Sequence, residues 1–384
     1  MSASAIISGV ADTAVGKVVG SSCLGLHAQA TTAALADAGL QAKDIDGVLC
    51  AYSITEPHMM LASVFSEYYG IAPKFSAAVQ AGGATACIMV IQAAVLVASG
   101  FCRHVLCVTG DNRLTGGSRD RTVAFLSEFG HGQFERPYGI NIPAAYGLVA
   151  QRYMHEFGLT EEQLAAIAVT HRNHARRHPK AQMRDPLTIE QAMTARFIAE
   201  PLRLFDCCQI SDGGAAVIVS APDTRHDIKS KPIAITGYGQ MNTHEHIVAA
   251  PSLVDFGCKQ SSQQAFEMAG ILAGDIDVAE IYDSFTITLL VELESIGFFA
   301  RGEAGEAALA GELDLGGCLP CNTHGGLLSY AHSGAAGGMF HIVEAVHQLR
   351  GQAAARQVED AGLAYVHGDG GVLSAHASLV LAKV

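Results

Sequence analysis

The chain carries a copy of part of itself. Residues 38–53, AGLQAKDIDGVLCAYS, lie without a gap on residues 269–284, AGILAGDIDVAEIYDS, sharing Ala-Gly, Ala, Asp-Ile-Asp and the final Ser. A duplication constrains the architecture more than any single motif does. Each copy follows an amphipathic stretch and ends in an apolar run, which predicts a helix-to-strand unit. A second pair, AGGATACIMVIQAAVLVASG (81–100) and SGAAGGMFHIVEAVHQLRGQ (333–352), matches by pattern rather than identity. In both, small residues open a long helix, and a strand ending in Gly-Asp follows, HVLCVTGD in one and LAYVHGDG in the other. Each half also opens with a strand, AIISGVAD and PIAITGYG.

The pattern predicts an α/β protein of two duplicated halves, 1–230 and 231–384, each a mixed sheet covered by helices, with the central helices of the halves packed together. The region of about 112–204 has few strand signals and many helical or polar stretches, such as LTEEQLAAIAVTHRNHARR. It reads as a large insertion in the first half, of the kind that builds a substrate pocket.

A net charge of −13 argues against sequence-independent nucleic-acid binding, which needs a basic surface. The N-terminus shows no secretory signal. The most apolar segment, Ala84 to Phe101, is interrupted by Gln92, Ser99 and Gly100, so it predicts a buried helix and no membrane span. Ten cysteines without a small-domain framework are expected to be reduced thiols in a cytoplasmic protein. Cys318 and Cys321 form an isolated C-x-x-C, adjacent Cys207 and Cys208 read as packing within the strand that closes the first half, and the seventeen histidines show no metal-ligand spacing, so no metal is expected. The basic cluster HRNHARRHPKAQMR (171–184) is either a solvated helix end or an anion contact.

Four stretches in order, DCCQISDGGAAVIV (206–219), YDSFTITLLVELESIGF (282–298), NTHGGLLSYAHSGAAGG (322–338) and HGDGGVLSAHASLVL (367–381), resemble the thiolase superfamily, specifically its sterol-carrier-protein-type thiolases and thiolase-like proteins. The resemblance implies a five-layered αβαβα fold and chemistry on coenzyme A thioesters, with coenzyme A as part of the substrate and no covalently bound cofactor. Ordinary members use a cysteine at the N-terminus of the first central helix as acyl acceptor, a histidine of a Gly-His-Pro motif to activate it, and a second cysteine near the C-terminus. Here His332 takes the histidine's place, and Tyr282-Asp283-Ser284-Phe285 replaces the family's His-Asp-Ala-Phe or Asn-Glu-Ala-Phe motif. The C-terminal loop HGDGGV has no cysteine, and the nucleophile position, counted back from Gly100, is Gly83.

Without either cysteine, the resemblance implies a polar site of His332, Tyr282 and His324, with Tyr330 a further candidate. Cys87, one helical turn past Gly83, reads as a core residue, its alternative being a substitute nucleophile. Arg176, Arg177 or Lys180 would meet the phosphates of coenzyme A. Such a site still suits retro-aldol cleavage of a β-hydroxyacyl-CoA, the reaction type of thiolase-like steroid side-chain aldolases, which work with a small OB-fold/zinc-ribbon partner protein. Two alternatives stay open: a thiolase-type acyltransferase using Cys87 or a partner's thiol, and a non-catalytic acyl-CoA-binding scaffold. The family also implies a homodimer.

Overall fold

A computed structural model describes residues 5–118 and 127–384. The first half contributes β1 (Ala5–Asp12), α1 (Cys23–Ala38), β2 (Gly47–Ala51), α2 (Leu61–Tyr69), β3 (Phe75–Val79), α3 (Thr85–Ala98) and β4 (His104–Asn112). The inserted region holds α4 (Ile142–Phe157), α5 (Glu161–Arg176), α6 (Ile189–Thr194) and the two short strands β5 (Phe197–Ala199) and β6 (Leu202–Arg203), before β7 (Asp212–Ser220) closes the half. The second half follows as β8 (Ile233–Asn242), α7 (Cys258–Ala269), β9 (Val278–Ile281), α8 (Thr286–Ile296), α9 (Ala304–Leu309), α10 (Ala336–Arg350), β10 (Leu363–Gly370) and β11 (Ala375–Lys383). Cys207 and Cys208 lie ahead of β7 in a loop, not within the strand, which frees the second of them for a polar contact described below.

The duplication is visible atom by atom. In both copies a glycine in the left-handed conformation, Gly39 (φ 75°) or Gly270 (φ 71°), ends the helix. The first aspartate of each Asp-Ile-Asp then caps a short 3₁₀ turn: Asp44 accepts from Gln41 N and Asp275 from Leu272 N, both at 2.8 Å. The second fastens the next strand. Asp46 accepts from Arg103 N and His104 N at the start of β4, and Asp277 from Gly362 N and Leu363 N at the start of β10. The isoleucine between them is buried in both copies. The repeated tripeptide thus holds a helix end, a turn and two strand starts in register.

The strands run β3-β2-β4-β7-β1-β8-β11-β10-β9. The half-sheets meet where β1 pairs antiparallel with β8, from Ala5↔Ile235 to Ile7↔Ile233, so they are continuous. Helices α3 and α10 sit between them in one apolar core that takes residues from the strands of both halves. Helices α1 and α2 cover the outer face of the first half, α7 and α8 that of the second. The result is the five-layered αβαβα arrangement. The apolar segment expected to be a buried helix is α3, and no helix among the described residues is long and apolar enough to cross a membrane.

Arg350, at the end of α10, ties the halves together electrostatically. Its guanidinium donates to Asp37 Oδ2 on α1 at 2.7 Å, to the Lys231 carbonyl at 2.8 Å and to the Ser8 carbonyl at 3.3 Å. The guanidinium is buried and Asp37 half-buried, so removing the arginine leaves that carboxylate and two backbone carbonyls without their donor. Arg350→Leu is expected to lower the unfolding free energy by about 3 kcal/mol, read from the denaturant midpoint; an unchanged midpoint would mean that packing alone joins the halves.

Candidate active site

The two central helices begin beside one another, and the first of them is where the resemblance places a nucleophile. Gly83, two residues before α3, has no room for a side chain. A Cβ there would stand 2.1 Å from Tyr282 Cζ and 2.3 Å from the carbonyl oxygen of Asp369, far inside van der Waals contact. The phenol ring of Tyr282 therefore fills the volume a nucleophilic side chain would need. Cys87 offers no substitute: it is fully buried, and burial pushes its thiol well above the usual range. The core reading of Cys87 holds.

Tyr282 follows directly on β9, with its N–H donating to the His367 carbonyl at 3.0 Å, which aims the ring across the helix start. Its hydroxyl lies 3.0 Å from His332 Nε2, and His332 Nδ1 lies 3.1 Å from Cys208 Sγ. The backbone of His332 is pinned by Ser211, whose Oγ accepts the His332 N–H at 2.9 Å and whose own N–H donates to the His332 carbonyl at 3.1 Å. Two proton arrangements fit the row. With Nδ1–H toward sulfur, Nε2 accepts the Tyr282 proton; with S–H toward Nδ1, Nε2–H donates to the phenol oxygen and the Tyr282 proton is free to point outward.

All three groups are neutral. Burial, assisted by the Arg113 charge, lowers His332 to about 3; burial raises Cys208 to about 12 and Tyr282 well above its usual range. Arg113 opposes the rise at both of the acidic groups. This arginine follows the end of β4, is 7% exposed, packs against Gly334 in the loop after His332, and its Nε is buried without a partner among the described residues. Neither Arg113 nor Cys208 was among the sequence candidates. The one signal for Arg113 is its place after GDN at a strand end, opposite the HGDGG of the other half.

That repeated Gly-Asp serves different ends in the two halves. Asp111 is saturated by Ser53 Oγ and the Ile54 N–H. Asp369 takes only the Tyr146 hydroxyl at 2.9 Å, its Oδ1 is buried without a partner among the described residues, and burial pushes its carboxyl well above the usual range. Asp283, next to Tyr282, accepts from His171 Nδ1 at 2.9 Å and from Leu327 N and Leu328 N at 2.7 and 3.2 Å, clamping the loop that leads to His332 onto β9.

The other sequence candidates separate from this row. His324 is buried and lies 3.0 Å from Glu280 Oε2; burial alone would lower it, but the carboxylate beside it raises it, while Glu280 falls to about 2 against its own burial penalty, chiefly through His324. Its ring reaches Tyr282 only through His341. Tyr330 is buried among His178, His324 and Phe340, and its hydroxyl donates to Asp12, which also pairs with Lys180. Lys180 is thus engaged within the protein. Arg176 and Arg177 are exposed and line a surface hollow of about 480 Å³ with Asn173, His174 and residues 314–316.

Two outcomes follow from this geometry. Gly83→Cys is expected to lower the melting temperature and, after incubation with acetyl-CoA, to show no acetyl adduct at residue 83 by intact mass, because ring and carbonyl exclude the side chain; an adduct there would contradict the packing. The second concerns pH. His332, His174 and His178 are held neutral, mainly by burial, at about 3, about 3 and about 2, against 6.5 in the open chain. Below 6.5 the unfolded chain binds protons that the folded one refuses, so their contribution is whole above that pH and falls as pH drops toward 3. Melting temperature should fall steadily from pH 7 to pH 4; a flat profile would mean that these rings are not buried neutral.

Known proteins resemble this chain in sequence and fold. The family described as Thiolase, N-terminal domain matches residues 5–223, and that described as Thiolase C-terminal domain-like matches residues 239–383. The chain is 37% identical over 368 residues to a steroid side-chain-cleaving aldolase of Thermomonospora curvata, with 90% of each chain covered. It is 35% identical to the 17-hydroxy-3-oxo-4-pregnene-20-carboxyl-CoA lyase of Mycobacterium tuberculosis, covering 91% of this chain and 92% of that one, and 31% identical to an acetyl-CoA acetyltransferase of Methanothermobacter thermautotrophicus, covering 96% and 97%. A solved structure of the Ltp2-ChsH2(DUF35) aldolase superposes with a TM-score of 0.87 at 35% identity, covering 99% of this chain and 97% of that chain. The chain belongs to the thiolase family.

Proposed function

We propose that this protein cleaves the Cα–Cβ bond of a β-hydroxyacyl-CoA by retro-aldol chemistry, with no acyl-enzyme. The observation that carries this reading is the exchange at the head of α3, where a phenol bonded to a histidine stands in the space of the missing nucleophile. Two of the relatives named above are described as lyases or aldolases of steroid side chains, which supports the same class.

The chemistry follows from the two proton arrangements of the row. In the first, Tyr282 passes its proton to His332 Nε2 as its oxygen takes the β-hydroxyl proton. The C–O bond becomes a carbonyl, the Cα–Cβ bond breaks, and its electron pair moves to the thioester as an enolate. The enolate is negative where the substrate was neutral, so the nearby Arg113 charge and the free N–H groups at the start of α3 stabilise the product side of the step. The proton held by the row then returns through Tyr282 to the α-carbon. Taking up the proton makes His332 an imidazolium, whose positive charge is matched by the negative enolate formed in the same step and is lost when the proton returns.

Arg176 and Arg177, at the edge of the hollow, would meet the coenzyme A phosphates, with Lys180 a weaker candidate because Asp12 engages it. A homodimer in the cytoplasm, working with a small OB-fold/zinc-ribbon protein, completes the proposal; the name of the Ltp2-ChsH2(DUF35) aldolase gives that enzyme a second component. The acyl group is a bulky one in the steroid-like class of the named relatives.

A second reading has one observation of its own: Cys208 beside His332 is a thiol–imidazole pair, and an acetyl-CoA acetyltransferase is among the relatives. The thiol's high pKa weighs against it. The test is release of the ketone or aldehyde fragment from a β-hydroxyacyl-CoA, with the candidate partner supplied. Tyr282→Phe and His332→Ala should each lower kcat by about 10²–10⁴-fold, and Arg113→Gln by about 10²–10³-fold, with KM moved far less. A stable acetyl adduct on Cys208 in the native protein, with no bond cleavage, would overturn the lyase reading in favour of acyl transfer.

A further inference from the structure

Behind the active site, on the outer side of the second half-sheet, three fully buried side chains converge: Glu292 of α8, His367 of β10 and His376 of β11. His367 Nε2 is 3.1 Å from His376 Nδ1, and Glu292 Oε1 is 3.5 Å from the first and 3.9 Å from the second. Both Glu292 oxygens are buried with no hydrogen-bond partner among the described residues. A bare carboxylate in an apolar surrounding is costly, so this group is neutralised either by a proton, toward which burial drives it, or by a cation held together with the two ring nitrogens beside it.

The outer edges of both rings are already anchored. His376 Nε2 is 2.9 Å from the Leu373 carbonyl, which can only accept, so the ring proton is there and the Nδ1 lone pair faces inward. His367 Nδ1 lies 2.9 Å from Ser378 Oγ and 3.1 Å from the Tyr365 hydroxyl. Such outer contacts are what orients histidines that bind a metal. The centre of a triangle with these edges is about 2.0 Å from each corner, the length of a zinc–nitrogen or zinc–oxygen bond. A comparable cluster, Glu280 with His324 and His341, differs in the decisive respect: Glu280 Oε1 accepts from both the N–H and the hydroxyl of Thr323, and Oε2 meets His324 and His341. Both oxygens of that carboxylate have polar partners; neither oxygen of Glu292 has a hydrogen-bond partner among the described residues.

We propose that Glu292, His367 and His376 form a buried site for one divalent metal ion, their ligand set suiting zinc. The ion would fasten α8 to β10 and β11 just beyond Asp369, whose carbonyl helps keep Gly83 bare. Its role is structural: the site is sealed from solvent, so it is loaded as the chain folds. No sequence motif announces it because the ligands come from three separate elements.

The test is metal content of the full chain, produced with zinc in the medium, freed of any affinity tag and dialysed against chelator. About one zinc per chain is expected, falling to about a tenth or less in Glu292→Gln and His376→Gln and kept in His58→Gln, an exposed histidine, with cobalt in place of zinc giving visible absorption bands that the ligand variants lack. Native chain holding less than about a tenth of an equivalent would overturn the proposal and leave a shared proton between the two rings. Zinc retained in both ligand variants would overturn it equally. If a variant does not fold, the native stoichiometry and the cobalt spectrum decide.

Discussion

The steric exclusion between Gly83 and Tyr282 is the constraint on which the active site depends. A nucleophile at the head of α3 and a ring at position 282 compete for one volume, and a Cβ at residue 83 would lie 2.1 Å from the ring. Glycine there is required by the ring and carbonyl that face it, and Gly338 of the second central helix is required in turn, since a Cβ on it would stand 2.6 Å from the Gly83 carbonyl oxygen. The loss of acyl-enzyme chemistry and the gain of a positioned phenol are one structural event.

Around that contact the protein is built to keep Tyr282, His332 and Cys208 uncharged and fixed. Asp283 holds the histidine loop to β9, Ser211 holds the His332 backbone, and Cys208 holds the far ring nitrogen. Burial lowers His332 and raises Tyr282, so neither ionises near neutrality. Arg113, buried beside this row and with its Nε unpartnered among the described residues, would in the proposed reaction favour an anion formed from a neutral substrate. An electrostatic bias toward the enolate, without a charged base in the resting state, is the economy of this design.

Much of this was legible in the sequence, for physical reasons. The Asp-Ile-Asp repeat predicted the duplicated architecture because each aspartate caps backbone N–H groups that every copy of the unit exposes. The absent side chain at Gly83 and the place of Tyr282 after a strand were readable because helix starts and strand ends fix positions along the chain, and the structure brings His332 to Tyr282. His324 and Tyr330 were grouped with them by proximity in sequence, yet the π-helical turn Gly326–Tyr330 turns Tyr330 toward Asp12 and seats His324 against Glu280. Cys208, Arg113 and Glu292 were not legible as functional residues, since their partners lie more than fifty residues away and no local pattern marks such a meeting.

The central claim is that the Tyr282 hydroxyl handles the proton of the bond that breaks. The most direct measurement is a crystal structure with a non-cleavable β-hydroxyacyl-CoA analogue bound. The account predicts the β-hydroxyl oxygen within about 3 Å of the Tyr282 oxygen, with the thioester over the start of α3 on the side of Arg113. An analogue whose hydroxyl points away from Tyr282, with the thioester carbonyl seated instead against Cys208, would contradict it.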